Sequence, residues 1–538
     1  YNIKAYKMLA KYNPDFIWLD DDTRLIWHTP GYYGCFCPIC MKAFSEKTGR
    51  EINRETFAEL TKGSSEEAMK LRKQWIEFNG ETLTDLCKKI REATDDVNPN
   101  IELGQMSPDY NYSVNAYKGI SDALSRNNTI NTMWRPGGFY NKDFDKRNLN
   151  FKGIYIGKQM ANYPDYITDI QSEVENDPDI TLQKASYAVV LETCMHIGAG
   201  STGIAYNVMA PGNDKIKFSM APANETRYRD ILKYRPFYEE MVNTFGRNRT
   251  NGVYLNNWNT DSILSLNTNN DKNWLDSEVR LMDFEMFETG IPMAFRQDNA
   301  PVTILYGENC YSMTDEEIMN MLSKGVYMDA VSLDILNRKG YGEFTGFELK
   351  EEFLYQHSKF LKHSINGDFE DYIRYNTKGD KDYILRKTDD NAEFLCCFTD
   401  IENDFADKPN MGIFENRLGG RICVEAYQFD RDIATYYKVF QLKNIMKYLS
   451  KNNIALVNSY ANMIIYDRSE EKVGILLINN SYDMCENTEI IIPRDIEKVQ
   501  VVDLNMNEKT VNRSKYEDNY SYFNMGDIPM FSPVLVKE

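Results

Sequence analysis

The sequence has few basic residues for its acidic content, no long apolar run and no methionine at its start. It contains 62 lysines and arginines against 81 aspartates and glutamates, a net charge of −19. Nucleic acids and anionic membranes are therefore poor partners. No stretch approaches eighteen consecutive apolar residues, so we expect no transmembrane helix. Residues 1–12 read as an amphipathic helix, and we interpret the chain as a fragment that begins inside a domain. The sequence does not set the compartment, and we favour the cytoplasm.

Three adjacent carboxylates follow a short apolar run near the start of the chain. Residues 16–19, Phe-Ile-Trp-Leu, read as a buried strand, and Asp20, Asp21 and Asp22 come directly after it. Ligands of parallel α/β proteins collect at the carboxyl ends of strands. Three neighbouring carboxylates repel one another, so they need solvent, a cation such as Arg24, or partial protonation. The segment is therefore either part of an active-site rim or a solvated acidic turn.

Segments of strand and helix character alternate along the first 210 residues. Strands are predicted at residues 16–19, 101–106, 130–134, 166–170 and 203–208, with helices between them. Strands that alternate with helices form parallel sheets. We therefore predict an α/β fold in which residues 1–225 form a partial (β/α)8 TIM barrel, about strands 4 to 8, whose first three units are missing.

The rest of the chain is predicted to hold two further domains. Residues 226–455 read as a Rossmann-like α/β domain, with a capped helix start at residues 312–317 and a strand at residues 421–426 that returns to its sheet. Short alternating strands after residue 463 indicate a small C-terminal β-sandwich, residues 456–538.

One motif carries a resemblance to a known family. An acidic strand end, then Cys35, Cys37 and Cys40 in a Cys-x-Cys-x-x-Cys spacing, then a helix, resembles the fourth barrel unit of glycoside hydrolase family 42. This is the β-galactosidase group with a trimerisation domain. The Gln-Ser-Glu that ends in Glu173 resembles the end of that family's seventh strand, and the His-Ile-Gly-Ala that begins at His196 resembles the helix after it. The resemblance extends over about residues 1–345.

The resemblance implies both an activity and an assembly. It makes the chain a retaining exo-glycosidase with Glu173 as the nucleophile, and Glu175 is the alternative. It makes residues 226–455 an amidotransferase-like trimerisation domain, and therefore implies a homotrimer that binds a carbohydrate substrate.

The sequence departs from the family pattern at the acid/base position. Where the family has Asn-Glu, this chain has Asp21-Asp22. We predict Asp22 as the acid/base, with Asp21 as the alternative. Since an aspartate is one methylene shorter and Asp21 can donate a hydrogen bond only when protonated, a galactoside is not the only substrate that the sequence allows.

Further polar and aromatic residues follow predicted strand ends and are candidates for substrate binding. They are Asp20, Arg24, His28, Trp134, Arg135 and Asn207. Each also has a structural interpretation, since tryptophans commonly pack in cores and histidines commonly lie in surface turns.

Three thiols within six residues have the spacing of a tetrahedral zinc site. Cys35, Cys37 and Cys40 would hold a structural zinc, and the family resemblance implies a fourth cysteine from an earlier barrel loop. The alternatives are His28 or water as the fourth ligand, or three free thiols.

Two hypotheses of different class follow. The first is a glycosidase that acts on a small β-linked glycoside, because two carboxyl groups on barrel strand ends can flank a glycosidic bond. The second is a carbohydrate-binding or scaffold protein that has lost catalysis. A weaker third hypothesis makes Asp20, Asp21 and Asp22 ligands of a divalent cation.

Overall fold

The structure is a computed structural model, and its described residues fall into two compact units that divide between Asn248 and Arg249. The described residues are 2–21, 23–28, 31–107, 116–138, 140–143, 146–175, 183–208, 222–256, 264–265, 284–298, 300–352, 357–375, 382–399, 404–426 and 435–538. None of the described helices is long and apolar enough to cross a bilayer.

The first unit is built on a parallel sheet. Its strands are β1 (Phe16–Leu19), β4 (Glu102–Ser107), β5 (Thr132–Pro136), β6 (Asp169–Glu175) and β7 (Gly203–Asn207), and β2 (Ile26–His28) pairs with β3 (Gly31–Tyr33) in a separate hairpin. The sheet order is β1, β4, β5, β6, β7, and every pair is parallel. A doubly wound sheet reverses its strand order, whereas a (β/α)8 barrel does not. The α/β class is confirmed, with five parallel strands in barrel order.

Eight helices of the described chain belong to this unit. They are α1 (Asn2–Ala10), α2 (Pro38–Thr48), α3 (Arg54–Leu60), α4 (Glu66–Asp95), α5 (Tyr117–Leu124), α6 (Lys146–Ala161), α7 (Ser186–Ala199) and α8 (Pro222–Phe245). The long α4 is capped at its N-terminus by Ser65, whose side chain accepts a hydrogen bond from Ala68 N. The helix buries Leu71, Trp75 and other residues at helical spacing.

Two strands end later than the sequence predicts, and this decides which side chains reach the candidate site. β5 extends to Pro136 and β6 extends to Glu175, where Glu175 pairs with Asn207 of β7. The apolar residues of both strands end before the strands themselves. The polar residues that follow still pair with neighbouring strands, so β5 and β6 continue through them. Since side chains alternate along a strand, Glu173 and Glu175 share one face of the sheet.

The second unit contains a nine-stranded mixed sheet. Its strands, in sheet order, are β14 (Ile373–Tyr375), β13 (His357–Phe360), β16 (Glu393–Thr399), β17 (Asp404–Glu415), β18 (Arg421–Glu425), β11 (Gly325–Met328), β10 (Val302–Leu305), β8 (Val253–Leu255) and β9 (Met293–Ala294). β18 joins β11 in parallel, so the predicted return of this strand to the sheet is confirmed. β12 (Phe347–Glu352) pairs with β15 (Tyr383–Lys387) beside it.

Helices flank this mixed sheet. They are α9 (Asp315–Leu322), α10 (Ala330–Leu336), α11 (Gly342–Thr345) and α12 (Tyr436–Leu449), with short 3-10 turns at Phe284–Glu288, Asn309–Tyr311 and Ser364–Asn366 and a π turn at Asn337–Tyr341. The predicted capped start is confirmed at α9, where Thr314 and Glu317 form a capping box.

The end of the chain forms two antiparallel sheets. One orders β19 (Leu456–Asn458), β22 (Cys485–Ile492), β26 (Tyr520–Ile528) and β25 (Lys515–Glu517), and the other orders β20 (Met463–Asp467), β21 (Gly474–Asn479), β27 (Pro533–Lys537), β23 (Lys498–Asp503) and β24 (Glu508–Asn512). Side chains of both sheets, among them Ile475, Leu477, Ile490 and Phe523, share one buried cluster, which is the arrangement of a β-sandwich. The bounds of the three domains stay a prediction.

Candidate active site

A buried carboxylate meets a guanidinium at the carboxyl ends of β5 and β6. Glu173 is 5% exposed, and its Oε1 accepts a hydrogen bond from Nη1 of Arg135. Burial raises the pKa of Glu173 above its ordinary value and Glu175 adds to the rise, while the charges of Arg135 and Lys152 oppose it. A carboxyl group perturbed in this way beside a specific partner is typical of a functional site.

Asp21 brings a second carboxyl group to the same site from the end of β1. Burial raises its pKa, and the charges of Asp20 and Glu173 raise it further, while Arg135 and Arg24 lower it. The charges of Glu173 and Arg135 therefore both act on Asp21. The site combines carboxyl groups from the ends of two strands that influence each other's ionisation.

Gly137 gives the Glu173 carboxylate its space. A Cβ at residue 137 would lie 3.1 Å from Oε2 of Glu173 and 3.3 Å from the carbonyl oxygen of Ser107. The backbone of Gly137 is fixed on both sides: its N–H donates to Ser107 O at 3.0 Å, and its carbonyl accepts from Nε2 of Gln159 at 2.8 Å. Any larger residue at this position would press on the carboxylate.

Glu175 lies further along β6 and is held by the next strand and a loop. Nδ2 of Asn207 donates to its Oε1 at 2.7 Å, and Nζ of Lys184 donates to its backbone carbonyl at 2.7 Å. Although it has these contacts, Glu175 is less buried than Glu173.

A fully buried charge network lies behind β6. Glu192 of α7 pairs with Lys152 of α6 at 2.8 Å and also with Lys184, and none of the three side chains is exposed. Burial alone would raise the pKa of Glu192, but the two lysines lower it to about 2. Lys152 also lowers the pKa of Glu173, and Lys184 bonds to Glu175, so the network stabilises both the charge and the backbone of the site.

His196 belongs to this network. Its Nε2 lies 3.9 Å from Oε1 of Glu192, and its Nδ1 lies 3.1 Å from Oγ of Ser172 on β6. Burial lowers its pKa to about 3 despite the opposing charge of Glu192. The imidazole is therefore neutral, and it positions the strand rather than taking part in proton transfer.

The three predicted metal-ligand cysteines form one cluster at the N-terminal end of α2, whose first turn contains Cys40. The thiol sulfurs of Cys35, Cys37 and Cys40 all lie within 4.8 Å of one another, a spacing that suits a common metal ion. Burial raises the pKa of Cys40 to about 12, whereas backbone and thiol hydrogen bonds lower that of Cys37 to about 7. Among the described residues, no fourth His, Cys, Asp or Glu joins the group.

Aromatic packing holds this cysteine cluster in place. Phe36 stacks on Trp75 of α4 with ring centroids 4.7 Å apart. Gly34 has φ +119°, and a Cβ there would lie 2.7 Å from Oδ1 of Asn79. The turn that carries the thiols is therefore fixed by the protein itself.

The chain is similar in structure to several β-galactosidases over its whole length. It matches a catalytic mutant of Gan42B, a GH42 β-galactosidase from G. stearothermophilus, with a TM-score of 0.56 and 14% identity, over 100% of this chain and 81% of that chain. This chain has the GH42 fold. The β-galactosidase from Bacillus circulans sp. alkalophilus matches it with a TM-score of 0.58 and 12% identity, again over 100% and 81%.

The same fold occurs in the polyextremophilic β-galactosidase from the Antarctic haloarchaeon Halorubrum lacusprofundi. That match has a TM-score of 0.58 and 10% identity, over 99% of this chain and 81% of that chain. No protein-family profile matches the sequence, and no curated protein matches it. The similarity to the GH42 fold is therefore one of structure at low sequence identity.

Within the GH42 fold, the predicted substrate-binding residues differ in their placement. Asp20, Arg24 and Arg135 contribute charge to the surroundings of Asp21, and Asn207 contacts Glu175. Asp22 lies outside the described residues, as does the side chain of His28, whose backbone is in β2.

Of the two interpretations given for Trp134, substrate binding or core packing, the structure shows core packing. Its indole is 0% exposed, it donates to Oγ of Ser121 at 3.0 Å, and it stacks on Tyr163 at 4.5 Å. Neighbouring side chains on a strand point to opposite faces. Because Trp134 packs against the helices on one face of β5, Arg135 points to the other face and enters the site.

Trp18 shares a sheet face with Arg135, a placement that the sequence reasoning missed. It pairs in register with Gly104, where an added Cβ would lie 2.5 Å from the indole ring. Sheet register from Gly104 to Met133 puts Trp18 on the same face as Arg135, and the ring is only partly buried. The available signal was the glycine inside a predicted strand, which indicates close approach of a neighbouring group.

Proposed function

We propose that the protein is a glycoside hydrolase that acts on a β-linked galactoside or a similar small glycan with retention of configuration. The observation that carries the proposal is a buried carboxylate, Glu173, hydrogen-bonded to Arg135 at the carboxyl ends of parallel strands, with Asp21 electrostatically linked to both. The GH42 fold supports it, because the compared structures are β-galactosidases.

The environments of the two carboxyl groups favour different roles. Glu173 has a guanidinium within hydrogen-bond contact, which favours its ionised form, so we assign it as the nucleophile that attacks the anomeric carbon. Burial and the charges of Asp20 and Glu173 raise the pKa of Asp21, which favours the protonated form that a general acid needs. The pKa of Glu173 is raised as well, so the division of roles rests on the hydrogen bond that Glu173 accepts from Arg135.

The residues around the pair would position the reaction. Arg135 orients the Glu173 carboxylate, and Gly137 leaves room for that carboxylate. Trp18 provides an apolar indole face for a sugar ring. After the glycosyl-enzyme forms, the acid/base carboxylate takes a proton from the water that releases the sugar. Asp22 remains the other candidate for the acid/base.

The cysteine cluster would contribute structure. Cys35, Cys37 and Cys40 would hold a zinc ion, which when bound fixes the turn between β3 and α2. The fourth ligand and the homotrimer implied by the family resemblance stay predictions, as does the hypothesis of a cation at Asp20, Asp21 and Asp22.

The test is turnover of aryl β-glycosides by matched variants. We expect Glu173→Gln to lower kcat/KM for an aryl β-galactoside, or for whichever sugar in an aryl panel is the best substrate, by at least about 10³-fold, and Glu175→Gln by much less. Unchanged turnover by Glu173→Gln would exclude this nucleophile, and binding without hydrolysis of any panel member would favour the carbohydrate-binding hypothesis.

Azide distinguishes the candidates for the acid/base. In a retaining mechanism, an acid/base variant still forms the glycosyl-enzyme from a substrate with a good leaving group, and azide then restores turnover because it needs no base. We expect azide to rescue Asp21→Asn more than Asp22→Asn. The reverse result would return the role to Asp22.

A further inference from the structure

A cavity lies between α12 and the β-sandwich in the second unit. Its volume is about 440 Å³, within the ~300–1,000 Å³ range of small-molecule sites. The residues that line it are Tyr436, Val439, Phe440, Lys443, Asn458, Ser459, Tyr460, Glu486, Asn487, Glu489 and Asn524. We call it the tyrosine cleft.

Two exposed aromatic rings form one wall of the tyrosine cleft. Tyr460 is 84% exposed and Tyr436 is 50% exposed, and their rings stack with centroids 5.5 Å apart and planes 17° apart. Phe369 packs edge-on against Tyr436, with ring centroids 6.3 Å apart. Large rings that stack on each other yet remain open to solvent indicate a binding surface rather than core packing.

The opposite wall is polar and contains a backbone irregularity. β22 shifts register against β26 between Cys485 and Thr488, and Asn487 within this bulge has φ +49°. Its N–H donates to Oδ1 of Asp527 at 3.0 Å. Bulges of this kind redirect side chains and are common beside binding sites, and here Glu486 and Asn487 both line the cleft.

A nearly buried amine completes the lining. Lys443 is 7% exposed, and its Nζ donates to Val457 O at 2.6 Å. Burial lowers the pKa of Lys443 to about 8. An ammonium group has three donors, and among the residues that the structure describes Nζ of Lys443 has one hydrogen-bond partner, which leaves capacity for a ligand.

The chemistry of the lining selects one class of ligand. Amides of asparagine both donate and accept, the two glutamates accept and Lys443 donates, which matches the mixed hydroxyl groups of a sugar. Two carboxylates against one amine disfavour phosphates and other anions. We propose that the tyrosine cleft is a second, non-catalytic binding site for a neutral saccharide, whose ring stacks on Tyr460. This proposal does not depend on the hydrolase assignment.

The test is saccharide binding by the full chain and two tyrosine variants. The probes are galactobiose, cellobiose, xylobiose and mannobiose. Their binding is measured by calorimetry and by saturation-transfer NMR. We expect Tyr460→Ala to weaken at least tenfold the binding of at least one probe. Tyr482→Ala is the matched control, because Tyr482 is 67% exposed on the same sandwich and does not line the cleft.

A second variant guards against indirect effects. Asn487→Gly keeps the positive φ, which glycine adopts without strain, but removes the amide, and we expect weaker binding of the same probe. Turnover of the aryl glycoside should stay unchanged in all three variants. Binding equal to that of the unaltered protein in Tyr460→Ala, or no binding of any probe at millimolar concentration, would overturn the proposal, and neither result bears on Glu173.

Discussion

At the scale of single residues, the opposition between burial and a neighbouring cation determines the chemistry of the site. Glu173 and Asp21 both have raised pKa values, yet both lie within the influence of Arg135. The guanidinium therefore stabilises whichever carboxyl group is ionised. Its direct hydrogen bond goes to Glu173, which makes Arg135 the residue whose removal should most clearly alter the ionisation of the nucleophile.

We expect Arg135→Gln to move the acid limb of the pH profile of kcat/KM upward. Without the guanidinium the pKa of Glu173 rises, because Arg135 is the nearest charge that lowers it, and since the nucleophile must be ionised, activity is lost at a higher pH as the solution is acidified. The profile of kcat/KM reports the free enzyme. Arg235→Gln on the exposed surface of α8 is the control. An unmoved acid limb would contradict the assignment of Glu173 as the ionised group.

The sequence could locate these carboxyl groups but could not orient them. An apolar run followed by acids correctly placed Asp21 at a strand end, and family register placed Glu173. Whether Trp134 or Arg135 enters the site depends on which face of β5 the helices cover, and that is a tertiary property. Gly137 was visible only as a glycine after a strand, because its contact with Glu173 joins residues far apart in the chain.

At the scale of elements, the buried ions between α6 and α7 were beyond sequence reasoning. Lys152 and Glu192 lie on different helices, and a lysine in a helical pattern normally indicates a solvated face. Nothing in the spacing of either helix pairs the two residues. Lys152 and Glu192 become partners only because both helices pack on the same side of β6, where Lys184 also reaches Glu192.

We expect Lys152→Met to destabilise the first unit by about 3–5 kcal/mol, the usual cost of leaving one member of a buried pair unmatched. The double variant Lys152→Met with Glu192→Leu should recover part of this loss, because it removes both charges. The pKa of Glu192 is lowered to about 2, so the stabilising ionisation is complete above the unfolded value of about 4.3 and is lost as pH falls toward 2.

The measurement is thermal unfolding of the three proteins at pH 7 and pH 3. The deficit of the single variant should be large at pH 7 and smaller at pH 3, where the carboxyl group of the variant takes up a proton. A double variant as unstable as the single one, with no dependence on pH, would show that the ion pair contributes little.

The turn before α2 gives a second prediction for an element. Cys40→Ser should lower the zinc content of the purified protein, measured by elemental analysis, and lower the midpoint of thermal unfolding, because three thiols within 4.8 Å would share the ion. Cys87→Ala is the control, since Cys87 is fully buried in α4 and is not part of the cluster. Equal zinc content in both variants, or none in the unaltered protein, would contradict a zinc site.

At the scale of the whole molecule, the order of elements was the most predictable feature. Alternating strand and helix patterns gave a parallel sheet in barrel order, and the return of β18 to the second sheet followed from its apolar run. The predicted domain boundaries remain predictions. Helix α8, which runs from Pro222 to Phe245 in the first unit, contains the predicted boundary at residue 225, and amphipathic helices look alike on either side of a domain border.

Two units with separate cores should unfold as more than one calorimetric transition. Each unit buries its own apolar cluster, so loss of one need not expose the other. We expect Lys152→Met to lower only one transition, and Leu477→Ala, which empties a fully buried position in the sandwich core at a cost of about 2–5 kcal/mol, to lower only another. Scanning calorimetry of the unaltered protein and the two variants provides the measurement. If both substitutions lower the midpoint of the same transition, the whole chain unfolds cooperatively. The two units divided after Asn248 would then be separate in geometry but not in stability.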